Sequence, residues 1–184
     1  MIVIVIPAKG KSSRLPNKNI TLLNGRPMIE YSIDEARLSK RADQIYVSTD
    51  SDEIAAHVEK MGVKVIRRSK SLGGDVPIID VYRHALSEMP NGDKVEVLVG
   101  LQPDHPDRDI RVDEALEIFE RESVDRLMSK QKDDEKNGSY YVLSRHFLTH
   151  GESRHDVTIV DDCTNIHYPE DLKRAEARLS NRKA

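Results

Sequence analysis

Short apolar runs alternate with amphipathic stretches through the first two-thirds of the chain. The opening run, residues 1–6, is continuous and mostly β-branched, which is typical of a central parallel strand covered on both faces. Three further apolar runs predict strands at 44–48, 63–66 and 95–100. Amphipathic stretches predict helices at 27–38, 52–61, from 75 through 86, and at 110–122. This alternation predicts an α/β fold with a Rossmann-like, doubly wound, mostly parallel sheet in a single domain, residues 1–184.

Side chains at the ends of these elements support some of the boundaries. Ser51 can cap the helix that follows it, and Asp75 can cap the next helix. The last third of the chain is less regular. The charged stretch 129–137 predicts a loop. Strands are predicted at 139–143 and 157–160, and a terminal helix is predicted at 169–182.

The segments that follow three of the predicted strands are unusually polar. They are residues 7–19, 49–51 and 101–109. In open α/β sheets, ligands bind beyond the carboxyl ends of the strands, near the point where the strand order reverses. We therefore expect these three segments to form the functional site.

Composition narrows the class of protein. The formal net charge is -3, from 29 Lys and Arg against 32 Asp and Glu, so no general attraction to nucleic acid is expected. Aromatic residues make up only 4%, which disfavours a stacking platform for single strands. No apolar run approaches the roughly 20 residues that span a membrane. With a single cysteine, Cys163, no intrachain disulfide can form. A cytoplasmic protein without nucleic-acid or membrane partners is expected.

The segment 7–19, PAKGKSSRLPNKN, carries the clearest candidate chemistry. A triphosphate needs backbone N–H donors, hydroxyl groups and several cations within a few residues, and this segment supplies all three. It contains neither GxGxxG nor GxxxxGK[ST], which disfavours a dinucleotide-binding fold and a P-loop NTPase. On charge alone, a solvated basic loop is an equal alternative.

The same segment resembles the nucleotide-binding signature of the sugar-acid cytidylyltransferases, which include the CMP-acylneuraminate and CMP-KDO synthetases. Five stretches continue the pattern in family order: NGRPMI at 24–29, VSTDS at 47–51, LQP at 101–103, NGSYY at 137–141 and PEDL at 169–172. The resemblance covers nearly the whole chain. It implies Mg²⁺-dependent transfer of CMP from CTP to a small anionic acceptor, with release of pyrophosphate, and it leaves a homodimer open as the assembly.

The resemblance also implies roles for individual residues. Lys9, Arg14 and Lys18 would carry the reaction by neutralising phosphate charge. Lys9 replaces the family's arginine, so it keeps the charge but loses the bidentate contact of a guanidinium. Asn137 and Gly138 would contact the acceptor. The nucleotide would be bound by Ala8, Lys9, Gly10, Ser12, Ser13, Arg14, Lys18, Asn19, Arg68 and Gln102.

Two stretches are candidates for binding Mg²⁺. Asp104 corresponds to a metal-binding aspartate of the CMP-KDO synthetases, although a helix cap or a surface turn would also explain it. Asn165 and His167 stand where the family places aspartates that bind the metal. Asparagine is an adequate oxygen ligand for Mg²⁺, whereas imidazole is a poor one. Either Asp104 carries most of the metal binding, or Asp161 or Asp162 compensates, or the activity is altered.

Four other residues are candidates for a functional role. His146 and His150 have the spacing of a transition-metal pair, but no third ligand is evident, and solvated or packing roles are the simpler interpretation. Asp50 either contacts the site or belongs to the start of a helix. Cys163 has no patterned base nearby, so an inert thiol is expected.

The acceptor remains open at this point. The stretch between residues 127 and 137 is shorter than in the resembled family, whose insertion there holds acceptor and dimer contacts. The acceptor is therefore either a keto-deoxy sugar acid or a smaller phosphonate, alcohol phosphate or sugar phosphate. The rival functions are a same-fold enzyme for another nucleotide, a noncatalytic nucleotide-binding homologue, and a plain interaction domain.

Overall fold

The structure is a computed structural model that describes residues 1–73 and 76–182. The strands in these ranges are β1 (Ile2–Ala8), β2 (Leu22–Leu23), β3 (Arg26–Pro27), β4 (Gln44–Thr49), β5 (Lys64–Arg67), β6 (Val97–Leu101), β7 (Arg126–Lys130), β8 (Lys136–Ser144) and β9 (Asp156–Val160). The α-helices are α1 (Ile29–Leu38), α2 (Asp52–Lys60), α3 (Ile78–Glu88), α4 (Val112–Arg121), α5 (Arg145–His150) and α6 (Pro169–Asn181). None of these helices is long and apolar enough to cross a membrane.

Seven strands form the main sheet, in the order β5-β4-β1-β6-β8-β7-β9, and β2 and β3 form a separate hairpin. Strands β5, β4, β1 and β6 run parallel to one another. Strand β8 is antiparallel to both of its neighbours, and β9 is parallel to β7. The predicted α/β class with a mostly parallel sheet is confirmed. The strand order reverses beside β1, which places the expected ligand site at the carboxyl ends of β1, β4 and β6.

Strand β1 is apolar at successive positions because both faces of the sheet are covered. Ile4 and Ile6 belong to the core cluster that contains residues of α1, α2 and α4, and they are completely buried. Val3 and Val5 belong to the opposite cluster, with residues of α3 and α5. Since successive side chains of a strand point to opposite faces, a strand between two helical layers needs apolar residues throughout.

The start of α2 agrees with the capping prediction. The Ser51 hydroxyl oxygen accepts a hydrogen bond from the Ile54 backbone N–H at 3.3 Å, which satisfies one of the free donors of the first turn. The predicted cap of α3, Asp75, lies outside the described residues. Helix α3 begins at Ile78.

The prediction of a loop at 129–137 is wrong at both ends of that range. Strand β7 includes Ser129 and Lys130, and β8 begins at Lys136, so only the turn between them is irregular. The hydrophobic pattern of β7 does not indicate a buried strand, because one of its buried positions is the polar Ser129. That side chain is only 1% exposed, and its hydroxyl donates a hydrogen bond to the Asn137 side-chain oxygen at 2.5 Å. A buried hydroxyl with such a partner fits inside a sheet but breaks the apolar alternation.

His146 and His150 share one face of α5, where their ring centroids are 4.6 Å apart. The His150 Nδ1 atom lies 3.0 Å from the His146 carbonyl oxygen. No third metal-binding side chain joins them among the residues that the structure describes.

Asp125 ties the segment before β9 to the sheet. Its carboxylate accepts hydrogen bonds from Arg154 Nε at 2.8 Å and from the Ser144 hydroxyl at 3.0 Å. The hydrogen bonds from Arg154 outweigh the effect of burial and hold the pKa of the Asp125 carboxyl well below its ordinary value. A carboxyl with a depressed folded-state pKa stabilises the protein above its unfolded pKa of about 3.9, and this stabilisation is lost as the pH falls through the folded-state value.

We expect Asp125→Asn to lower the melting temperature by several degrees at pH 7 and by a smaller amount at pH 3, because the stabilisation begins to fall below the unfolded pKa. The asparagine cannot be charged, so the variant should show a shallower loss of stability with acid than the original chain. Thermal unfolding followed by circular dichroism from pH 7 to pH 3 measures this. The exposed Asp93→Asn serves as the control. Parallel acid profiles for Asp125→Asn and the original chain would contradict the assignment.

Candidate active site

The three polar segments predicted to form a site meet at the carboxyl edge of the sheet. A cavity of about 890 Å³ lies between the segment after β1 and the start of α2. A neighbouring cavity of about 220 Å³ reaches the segment after β6. The two cavities share Lys9 and Gly73 in their walls. The two adjoining cavities therefore flank the basic segment 7–19.

The basic segment is held in place by contacts with its neighbours. The Gly10 backbone N–H donates to Asp50 Oδ1 at 2.8 Å, and the Asn19 side-chain amide donates to the Lys9 carbonyl oxygen at 2.9 Å. A Cβ atom at Gly10 would lie 2.8 Å from the Ser51 Cβ, so this close approach requires glycine. Asn19 thus stabilises the backbone of the basic segment at Lys9, and Asp50 lines the larger cavity.

Asp50 also contacts the loop on the far side of the cavity. A Cβ atom at Gly73 would lie 2.1 Å from Asp50 Oδ2, and Arg68 Nη2 lies 3.9 Å from Asp50 Oδ1. Burial lowers the pKa of the Arg68 guanidinium, and the charge of Asp50 opposes this effect. One carboxylate therefore joins the basic segment to the predicted nucleotide-contacting arginine.

We expect Asp50→Ala to weaken the binding of CTP with Mg²⁺ by about 10-fold to 100-fold, which corresponds to about 1.4–2.8 kcal/mol. Without the carboxylate, the loop around Gly10 loses its anchor and must be ordered by the ligand. Asp50→Asn keeps an oxygen acceptor for the Gly10 N–H and should show a smaller effect. Isothermal titration calorimetry measures both. Equal affinities for Asp50→Ala and the original chain would contradict the anchoring role.

Lys18 and Asp104 form a buried ion pair at the centre of the site. Lys18 Nζ lies 2.5 Å from Asp104 Oδ2 and donates a second hydrogen bond to the Ile166 carbonyl oxygen at 3.0 Å. Each residue is only 8% exposed. Burial acts to raise the pKa of the Asp104 carboxyl, but His105 and Lys18 beside it outweigh burial and hold that pKa well below its ordinary value. Asp104 is thus neither a helix cap nor a surface turn residue.

The segment that carries Asp104 is shaped by Arg108, which the sequence interpretation missed. The buried guanidinium donates to the carbonyl oxygens of Gln102 and His105, and to the Ser32 hydroxyl at 3.0 Å. It also lies over the Tyr140 ring, 5.4 Å from the centroid. The sequence signal for this role was a single arginine in a proline-containing segment after a buried strand. The five N–H donors of an arginine can bind several carbonyl oxygens of one loop.

Residues 161–167 run alongside the segment after β6 and close the site. Ile166 N–H donates to the Asp104 carbonyl oxygen at 3.0 Å, and Thr164 N–H donates to Asp107 at 2.8 Å. This pairing brings the stretch that contains Asn165 and His167 beside Asp104. Two hydrogen bonds therefore hold Asn165 and His167 beside the site, one between backbone groups and one from a backbone N–H to the Asp107 carboxylate.

Asp161 and Asp162, the two alternatives for a compensating metal ligand, both contact other groups of the protein. Asp161 is completely buried, and its carboxylate accepts hydrogen bonds from the Asp109 N–H at 2.7 Å and from the Ser139 hydroxyl at 2.5 Å. Asp162 pairs with Lys132 at 2.8 Å. Asp161 thus serves internal contacts and Asp162 a surface contact, and a compensating metal role for either carboxylate stays a prediction.

Two side-chain oxygens in the site could serve as ligands for a cation that binds together with a nucleotide. Asp104 Oδ1 and Asn165 Oδ1 are buried and have no hydrogen-bond partner within the described ranges. Burial lowers the pKa of the His167 imidazole, and Lys18 adds to this effect. No cluster of three or more His, Cys, Asp or Glu side chains suited to a metal occurs in residues 1–73 and 76–182. Mg²⁺ is commonly held by one or two carboxylates together with substrate phosphates, which this donor set allows.

The other predicted nucleotide contacts are distributed around the two cavities. Ser12 and Ser13 line the larger cavity, and Arg68 and Gln102 line the smaller one. The Arg14 guanidinium lies over the Tyr168 ring, 5.9 Å from its centroid. The side chain of Ala8 is in the core, completely buried, so only its backbone could reach a nucleotide.

The two predicted acceptor contacts differ in what they offer. The Asn137 side chain is 7% exposed, and its amide donates to the Asp161 carbonyl oxygen at 2.7 Å. Gly138 has a φ of 71°, and a Cβ atom there would lie 2.9 Å from Gln102 Nε2. Asn137 therefore supports the turn internally, while Gly138 allows Gln102 to approach. A direct contact of either residue with an acceptor remains a prediction.

Cys163 shows the features expected of an inert thiol. It is only 4% exposed. Burial raises the pKa of the Cys163 thiol, and the neighbouring Asp161 carboxylate adds to this effect. With a raised pKa, the Cys163 thiol forms little thiolate near neutral pH, so nucleophilic chemistry at this residue is disfavoured.

Comparison with known proteins agrees with this arrangement of loops and strands. A family model described as Cytidylyltransferase matches residues 3–178. The chain belongs to the cytidylyltransferase family. The 8-amino-3,8-dideoxy-manno-octulosonate cytidylyltransferase of Shewanella frigidimarina is 35% identical to this family member over 121 residues, which are 65% of this chain and 48% of the relative. The chain thus spans about half the length of the curated relatives it matches.

Solved structures share the fold of this cytidylyltransferase family member. A CMP:2-keto-3-deoxy-manno-octonic acid synthetase complexed with CTP aligns with a TM-score of 0.79 at 16% identity, covering 98% of this chain and 99% of that one. A Mycobacterium tuberculosis protein in complex with manganese aligns with a TM-score of 0.69 at 15% identity, covering 96% and 98%. At these identities, the likeness establishes the fold alone.

Proposed function

We propose that this chain transfers CMP from CTP to a keto-deoxy sugar acid, with Mg²⁺ as cofactor and release of pyrophosphate. The observation that carries the proposal is the buried Lys18–Asp104 pair, which joins the basic segment after β1 to the segment after β6. Family membership supports the transferase chemistry. The CTP in one structural neighbour and the sugar acid in the names of the relatives support the two substrates.

The reaction is an in-line displacement at the α-phosphorus of CTP. A bond forms between an acceptor hydroxyl oxygen and this phosphorus, and the bond from the phosphorus to the oxygen that bridges it to the β-phosphate breaks. Pyrophosphate leaves with the bridging oxygen, and the hydroxyl proton is released to solvent. The chain's main tasks are to position the reactants and to neutralise the phosphates. We assign Lys9, Arg14 and Lys18 to charge neutralisation. An ammonium has three N–H donors, and Asp104 and Ile166 accept two from Lys18 within the described residues, which leaves one for a phosphate oxygen.

Asp104 and Asn165 would hold the divalent cation, with His167 beside them. When bound, the cation supplies charge neutralisation to the phosphates of CTP. The donor set supports this role because two buried oxygens lack hydrogen-bond partners among the described residues. The manganese in one structural neighbour supports the use of a divalent cation. The choice of Mg²⁺, a cytoplasmic location and a homodimer are further parts of the proposal.

The test is an assay of pyrophosphate release with CTP, UTP, ATP or GTP, each combined with a panel of acceptors. The panel contains an eight-carbon keto-deoxy sugar acid, its 8-amino form, an acylneuraminate, a phosphonate, an alcohol phosphate and a sugar phosphate. We expect turnover only with CTP, a sugar acid and a divalent cation, and a CMP-linked product in the mass spectrum. Turnover confined to another nucleotide or to a phosphate acceptor would contradict the proposal.

A second candidate function is a noncatalytic nucleotide-binding homologue. It is favoured by Asn165 and His167, which replace carboxylates with weaker ligands for Mg²⁺. This candidate predicts binding of CTP in calorimetry without turnover on any acceptor. A failure to bind any nucleoside triphosphate would exclude both candidates.

A further inference from the structure

His105 directly follows the carboxylate assigned to the cation and is enclosed by the protein. Its relative exposure is 1%, and its Nδ1 atom lies 3.0 Å from Asp104 Oδ1. The backbone at His105 is fixed by Arg108, whose Nη1 donates a hydrogen bond to the His105 carbonyl oxygen at 2.5 Å. The ring is thus placed by a rigid segment of backbone and not by its own hydrogen bonds.

The two oxygens of Asp104 meet different neighbours. Oδ2 accepts a hydrogen bond from Lys18. Oδ1 faces the imidazole, yet neither Oδ1 nor either ring nitrogen of His105 has an aligned hydrogen-bond partner in the described part of the chain. The imidazole therefore lies close to the carboxylate without an aligned hydrogen bond, and the lone pairs of Oδ1 stay available to a cation.

The terminal torsion of an aspartate has a broad energy minimum, so a carboxylate needs neighbours on both sides to keep one orientation. Lys18 provides one neighbour and His105 provides the other. Side chains that orient a metal ligand without touching the metal commonly change metal affinity by 10–100-fold when they are removed.

On the basis of the proposed function, we propose that His105 is a positioning residue that holds Asp104 Oδ1 in the orientation that receives the divalent cation. His105 acts through Asp104 and does not contact the nucleotide. The atom that matters is Nδ1, since it is the ring nitrogen within reach of the carboxylate.

Three substitutions test this inference. His105→Leu removes both ring nitrogens, His105→Asn places an amide nitrogen near the position of Nδ1, and His105→Gln reaches toward the position of Nε2 instead. The exposed His150→Leu is the control. Calorimetry of CTP binding over a Mg²⁺ series, and electron paramagnetic resonance of Mn²⁺ with CTP, measure the metal concentration at half-saturation.

We expect His105→Leu and His105→Gln to raise this half-saturation concentration about 10-fold to 100-fold. His105→Asn should stay within about threefold of the original chain, because its amide replaces Nδ1. The affinity for CTP without metal should not change in any variant, and His150→Leu should match the original chain.

An unchanged metal requirement in His105→Leu would overturn the inference. Lower melting temperatures in all three variants without any change in metal requirement would also overturn it, because that result indicates a packing role. If His105→Leu does not fold, the comparison of His105→Asn with His105→Gln decides, and equal metal requirements would refute the role of Nδ1. A failure of the original chain to bind CTP at any metal concentration would instead refute the proposed function, and with it the basis of this inference.

Discussion

Replacing Lys18 with Met is expected to lower the rate of pyrophosphate release from CTP by about 100-fold to 1000-fold, which is the usual effect of removing one donor that stabilises a charged transition state. Lys18 is the cation that contacts both Asp104 and the residue 161–167 segment. Without it, the phosphates lose a positive charge and the site loses a positioning contact. Initial rates at saturating CTP and Mg²⁺ measure the effect, and the exposed Lys60→Met is the control.

The same substitution should also affect stability, because it leaves the buried Asp104 carboxylate without its cation. Removing one partner of a buried pair costs about 3–5 kcal/mol. The double variant Lys18→Met with Asp104→Asn removes the stranded charge, so we expect it to recover stability without recovering turnover. An unchanged rate in Lys18→Met would contradict the catalytic role, and a double variant no more stable than the single one would contradict the charge argument.

The second large effect is expected at Arg108, where substitution by Met should destabilise the fold by about 3–5 kcal/mol. The methionine fills much of the space but donates no hydrogen bonds. It leaves the carbonyl oxygens of Gln102 and His105, and the Ser32 hydroxyl, without their donor in a buried location. At about 2–4 °C per kcal/mol for a chain of this size, the melting temperature should fall by roughly 10 °C.

Turnover should fall further in Arg108→Met than the loss of folded protein explains, because the segment carrying Asp104 loses its internal support. Thermal unfolding and assays at a temperature where the variant is folded separate these effects. The exposed Arg121→Met is a control for the loss of an arginine. A melting temperature within about 2 °C of the original chain would show that the guanidinium does not organise the segment.

Much of the candidate site could be predicted from local patterns. The run at β1 and the polar stretches after β1, β4 and β6 were visible in the sequence, and the structure brings those stretches together. Ser51 was also predicted as a helix cap and acts as one. The β7 strand was not predicted, because buried Ser129 breaks the apolar alternation by which a strand is detected.

By itself, the sequence determined most of the strands and helices and the polar segments at the strand ends, because burial and capping leave local signals within a few residues. Only the tertiary structure decided which polar groups meet. Lys18 and Asp104 are separated by 86 positions in the sequence. Asp161 is an internal hydrogen-bond acceptor because the fold places the Ser139 hydroxyl and the Asp109 N–H beside its carboxylate. The physical reason is that a side chain's charge and size are local properties, whereas its partner is set by the closure of long loops around a common core.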